Sequence, residues 1–98
     1  MVSSDFRTIR LCDFGSAFRE SDADNDPTPY LVSRFYRAPE ITLGLEYNRQ
    51  IDLWAAANCV YELFTGNVMF PGRDNNHMLQ VINGLLVLVD CLDGCLSV

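Results

Sequence analysis

The sequence predicts an α+β fold that is mainly helical, with one short strand at its start. Three features predict it. A loosely alternating run, Thr8 to Cys12, ends at Asp13-Phe14-Gly15; Pro39 and Gly44 bracket a short stretch; and apolar residues recur at helical spacing from 52 to 65.

The elements follow in order. Thr8-Ile9-Arg10-Leu11-Cys12 is predicted as a strand leading into a turn that Gly15 permits. From Ser16 to Thr28 no period is sustained, four acids fall between Glu20 and Asp26, and Pro27 and Pro29 block regular hydrogen bonding, so this is an acidic loop. Ala38 to Gly44 has proline where a first helical turn tolerates it and glycine where a helix ends. One or two turns are predicted there. Asp52 then opens the strongest helix, with Leu53, Ala57, Val60 and Phe64 on one face and Gly66 after the last turn; it is predicted to be buried and central, with Trp54 in the core. After Phe70-Pro71-Gly72, a further short helix from Asn75 to Asn83 is predicted to stop at Gly84.

Composition narrows the function classes. At 98 residues the chain is one small domain or part of a larger one, and 49% apolar against 20% charged residues is too hydrophobic for intrinsic disorder. A net charge of −6, with no lysine, argues against direct nucleic-acid binding, which draws on cations that neutralise phosphates. The first residues show no basic-then-apolar leader, so an intracellular location with reduced thiols is expected. Cys91 and Cys95 make a lone C-x3-C with no second pair, read as ordinary thiols rather than a zinc site. The apolar tail from Leu85 to Val98 is interrupted by Asp90 and Asp93 and falls short of the roughly 20 residues of a membrane span, so it is predicted as a sticky strand or helix.

The chemistry lies in two linked motifs. Asp13-Phe14-Gly15 precedes Ala38-Pro39-Glu40 by twenty-two residues, and the run from Thr28 to Glu40, Thr-Pro-Tyr-Leu-Val-Ser-Arg-Phe-Tyr-Arg-Ala-Pro-Glu, resembles the activation segment of eukaryotic protein kinases. Arginine before Ala-Pro-Glu resembles the CMGC branch. Leu11-Cys12-Asp13-Phe14-Gly15-Ser16-Ala17, Tyr61-Glu62-Leu63-Phe64-Thr65-Gly66 and Phe70-Pro71-Gly72-Arg73-Asp74-Asn75-Asn76-His77-Met78-Leu79 are similar to its splicing-associated serine/threonine kinases. The resemblance covers roughly residues 1 to 80, a partial kinase domain, and leaves 81–98 as a divergent apolar tail.

The resemblance implies roles residue by residue. Asp13 would chelate the Mg²⁺ that bridges ATP phosphates, with Phe14 as its packing neighbour and Gly15 as a hinge. Thr28 and Tyr30 would be regulatory phosphorylation positions, and Arg34 and Arg37 the guanidinium groups that meet the added charge. Ser33 would face the catalytic aspartate. Ala38, Pro39 and Glu40 form the structural motif in which Glu40 pairs with a later buried arginine, yet no arginine follows Arg73. Asp52 would hold the catalytic loop's amides, or simply cap its helix.

Two departures stand out. Ala57 replaces a glycine and is expected to thicken a close helix contact, and Asn58 places an amide where a small thiol is usual, which risks an unpaired buried polar group. A complete kinase also needs a glycine-rich phosphate loop, a strand lysine and a His-Arg-Asp loop. None is present, so the chain alone is expected to be inactive, its ATP and Mg²⁺ use being that of the family. The other reading is a pseudokinase-like binding module that uses the acidic loop and the Tyr30 segment. Family likeness further implies protein substrates, splicing-related partners and a nuclear location. An uncovered apolar face along residues 52–65 is expected to drive self-association.

Overall fold

The computed structural model describes residues 1–19, 21 and 28–96, with side-chain surroundings as far as residue 88. Three α-helices carry the structure, α1 (Pro39–Thr42), α2 (Gln50–Thr65) and α3 (Asn75–Leu96), together with single 3₁₀ turns at Phe14–Ser16 and Arg34–Tyr36.

Among the described residues the predicted strand is reduced to one antiparallel bridge, Val2 with Ile9. The turn between them is well made, since the Asp5 carboxylate accepts from Ser3 Oγ at 2.5 Å and from the Arg7 amide at 3.2 Å. What the hairpin lacks is a neighbour: Ile9 and Leu11 are 74% and 84% exposed, and two strands without a covered apolar face do not extend into a sheet.

α1 begins as its sequence predicts, with Pro39 in the first turn, Ile41 wholly buried, and Gly44 in the left-handed region at φ 68°. α2 starts earlier than expected. The Asn48 carboxamide oxygen accepts the Gln50 amide at 2.9 Å, so Asp52 lies in the first turn rather than at the cap, where its charge still suits the helix dipole. The far end is as predicted, with Gly66 at φ 73° donating its amide to the Glu62 carbonyl at 2.7 Å.

α3 departs furthest from expectation. Asp74 Oδ1 caps it through the His77 amide at 2.8 Å, but Gly84 does not stop it and the helix continues to Leu96. Glycine inside a helix costs only about 1 kcal/mol relative to alanine, and Leu85 immediately beyond it packs on the core.

Two apolar clusters meet at Trp54. Ala38, Ile41 and Ile51 form one; Phe70, Met78 and Ile82 form the other, and Trp54 packs on both, stacked on Phe70 at 5.6 Å and 10°. The prediction that α2 is buried is corrected here. It is central, but only Ile51 and Asn58 are buried, while Leu53, Val60 and Phe64 are 72%, 65% and 91% exposed. The Tyr30 segment and α3 cover one side of the helix only. Ala57 is likewise exposed, so the close contact expected at that position is not made. The Asn58 amide is buried as expected and half satisfied: Nδ2 donates to the Trp54 carbonyl at 2.9 Å, and Oδ1 has no partner.

The accessible surface is 8113 Å², against about 5,700 Å² for a self-contained protein of this mass, and the radius of gyration is 16.0 Å against about 13 Å. No helix among the described residues is long and apolar enough to cross a membrane.

Candidate functional site

Asp13 adopts a left-handed backbone, φ 64°, and heads the 3₁₀ turn Phe14–Ser16. Aspartate tolerates this region better than most residues, so the sharp turn is taken at Asp13 rather than at Gly15. Phe14 is 67% exposed. Asp13, Ser33 and Asp52, from three separate stretches, line one cleft of about 610 Å³ whose apolar side is Leu31, Val32 and Ile51.

Beside this cleft, Arg37 organises the Tyr30 segment. It is 6% exposed, donates to the carbonyls of Leu31 (2.9 Å), Val32 (3.0 Å) and Tyr30 (3.3 Å), and reaches Asn75 Oδ1 on α3 at 2.6 Å. Burial, with Arg34 nearby, lowers its pKa from the ordinary arginine value. Val32 sits at φ 66°, an outlier for a β-branched residue that the surrounding bonds must hold in place. Arg34 Nη1 donates to the Arg73 carbonyl at 2.5 Å. Tyr30 is 74% exposed with its ring 5.8 Å from the Arg37 guanidinium carbon, and Tyr30, Arg34 and Arg37 share a cavity of about 460 Å³ with Asp74, Asn75 and Asn76. The Thr28 hydroxyl accepts the Tyr30 amide at 3.4 Å, and the Thr28 amide donates to the Tyr47 hydroxyl at 3.5 Å.

The structure therefore groups the sequence-derived residues in two places, Asp13, Ser33 and Asp52 in one and Tyr30, Arg34 and Arg37 in the other. Ala38 and Pro39 serve the core and the helix start, and Glu40 makes no ion pair among the described residues. Sequence reasoning did not find two tethers, Arg37 to Asn75 and the Tyr36 hydroxyl to Glu62 at 2.6 Å. They span 38 and 26 residues, a separation at which no local period or motif reports contact. Most of the acidic loop lies outside the described residues, as do the side chains of Cys91 and Cys95.

Among the described residues no group of three or more His, Cys, Asp and Glu side chains could hold a metal by itself. Mg²⁺ is commonly held by one or two carboxylates plus phosphate oxygens, and Asp13 and Asp52 both line the cleft. Asp13 thus fits a metal that arrives with a phosphate. The chain contains no lysine to meet the other phosphates of a nucleotide.

The protein kinase domain pattern matches residues 1–93, and the chain belongs to the protein kinase family. Its relatives include CMGC-type serine/threonine kinases of the Prp4 kind. It is similar to the serine/threonine-protein kinase prp4 of Schizosaccharomyces pombe, 53% identical over 81 residues, which is 82% of this chain and 16% of that protein. It is similar also to the serine/threonine-protein kinase prpf4B of Dictyostelium discoideum, 48% identical over 81 residues (83% and 10%). A probable dual specificity protein kinase YAK1 homolog of Encephalitozoon cuniculi is 40% identical over 77 residues (79% and 18%). The chain spans between a tenth and a fifth of the length of these relatives.

Proposed function

We propose that residues 1–80 are the metal-loop, activation-segment and central-helix portion of a splicing-associated serine/threonine kinase, with 81–98 a divergent tail. The supporting observation is the cleft that unites Asp13, Ser33 and Asp52 across 40 residues of sequence. In this reading Asp13 binds the Mg²⁺ that accompanies ATP, Phe14 and Gly15 set its position, Ser33 faces the catalytic aspartate, and Asp52 steadies the loop that carries it. Tyr30 and Thr28 accept regulatory phosphate, with Arg34 as the first guanidinium to meet it, because most of the Arg37 donors are already committed to the segment's own carbonyls.

This chain by itself transfers no phosphate, since the nucleotide cradle and the base are not among its residues, and losing one charge-stabilising donor already costs about 10²–10³ in rate. A radiolabelled-ATP assay with Mg²⁺ and a basic Ser/Thr substrate tests this. Background incorporation, the same in Asp13→Ala, is the expected result; turnover that Asp13→Ala abolishes contradicts it.

In the whole protein the family likeness carries protein substrates, splicing-related partners and a nuclear location. The uncovered Leu53, Val60 and Phe64 side chains support self-association with a second copy. The binding-module reading uses the acidic loop, most of which lies outside the described residues, together with the Tyr30 segment, whose Tyr30 side chain is exposed.

A further inference from the structure

Arg34 and Arg37, which belong to the Tyr30 segment, are both received where the chain enters α3. Asn75 Oδ1 takes Arg37, and the Arg73 carbonyl takes Arg34 Nη1 at 2.5 Å. Arg73 is held from its other side as well. Its amide donates to His77 Nδ1 at 3.1 Å, while the His77 amide donates to Asp74 Oδ1 at 2.8 Å. The residue that receives Arg34 is therefore pinned at both backbone groups, the carbonyl by Arg34 and the amide by His77.

The second pin depends on charge. An imidazole nitrogen accepts only while it carries no proton, so the bond to the Arg73 amide requires neutral His77 with its proton on Nε2. Protonation of Nδ1 sets two donors against each other and the bond is lost. His77 is the only histidine of the chain and is half-buried, so protons reach it.

The charged groups around it pull in both directions. Asp74, in the same turn, favours the imidazolium; Arg73 and the N-terminus of α3 oppose it. Of the elements packed against α3, the 3₁₀ turn at Arg34–Tyr36 brings Arg34 and the adjoining Arg37, and α1 brings Glu40. α2 meets α3 through Trp54, and its acids are placed elsewhere, Asp52 in the Asp13 cleft and Glu62 on Tyr36.

We infer that His77 is a pH-operated latch on the Tyr30 segment: neutral, it holds Arg73 where Arg34 bonds it; protonated, it releases Arg73 and Arg34 with it. Arg37 keeps Asn75 in either state, so the segment loosens at its Arg34 end only. The latch acts whether or not Tyr30 carries phosphate. It works between about pH 5 and 8, above the range in which Asp74 gives up its cap.

An NMR titration of the full ¹⁵N-labelled chain from about pH 8 to about pH 5 tests this. With one histidine, the imidazole signals give a single midpoint. The Arg73 amide and the Arg34 guanidinium N–H signals are expected to move with that same midpoint. Protection of the Arg73 amide from hydrogen exchange, taken against the intrinsic rate at each pH, should fall about three- to ten-fold across it. His77→Gln, which can accept but does not titrate, should leave both signals still over this range. An Arg73 amide that stays still while His77 titrates, or that follows only the Asp74 carboxyl below about pH 4, overturns the inference. So does a moving Arg73 amide with an unmoved Arg34, which makes His77 a local brace and not a latch. The match of midpoints within the unaltered chain decides the matter even where the variant does not fold.

Discussion

The Tyr36 hydroxyl donates to Glu62 Oε2 at 2.6 Å, tying the stretch that follows Tyr30 to the last turns of α2. With Arg37 bonded to Asn75, the Tyr30 segment is tethered to both long helices. Order in that segment thus depends on two side chains that no local motif singles out.

The Tyr36 bond has a pH signature. Its phenol pKa is raised above 10.0, chiefly by donation to Glu62 and then by burial, so the neutral form is favoured by folding. The contribution is fully present below the unfolded value and disappears as pH rises through the folded one. Absorbance titration at alkaline pH should show one tyrosine ionising late, and Glu62→Gln should return it toward the others.

Arg37 is the more severe tether to lose. Arg37→Ala leaves three segment carbonyls and Asn75 without their donor, and should cost about 2–4 kcal/mol by urea denaturation. Arg37→Lys should recover only part, since an ammonium lacks the planar fork that reaches backbone and α3 together.

Gly72 has no room for a side chain. A Cβ there would lie 2.5 Å from Met78 Sδ and 2.8 Å from Met78 Cα, and Met78 is 1% exposed. Gly72→Ala should destabilise by about 1–3 kcal/mol, read as a lower denaturation midpoint. Gly84→Ala, with open space around it, should be neutral or mildly stabilising.

The start of α3 should loosen in acid. The His77 amide, as the largest cause, holds the Asp74 carboxyl below its ordinary 3.8, so the cap contributes above that value and is lost as pH falls through the folded pKa. Hydrogen exchange should show the first-turn amides of α3 losing protection below about pH 4, and Asp74→Ala should give the same loss at neutral pH.

The open face of α2 predicts association. Phe64→Glu, at a residue 91% exposed, should shift sedimentation toward monomer while leaving the unfolding midpoint within about 0.5 kcal/mol of its starting stability. An unchanged sedimentation profile would place the contact elsewhere.

Sequence alone determined α1, the end of α2 at Gly66 and the linked motifs at 13–15 and 38–40, because each is written in residues within a turn or two of one another. Proline at a first turn and glycine in a left-handed cap act through local backbone sterics. Tertiary structure decided what local sterics cannot. Among the described residues it left the hairpin as a single bridge with no neighbouring strand, carried α3 through Gly84 with the support of packing at Leu85, and covered only one side of an α2 whose apolar spacing suits burial. It also brought Asp13 to Ser33 and Asp52, and Arg37 to Asn75, because distant side chains meet only when packing sets the helices around Trp54.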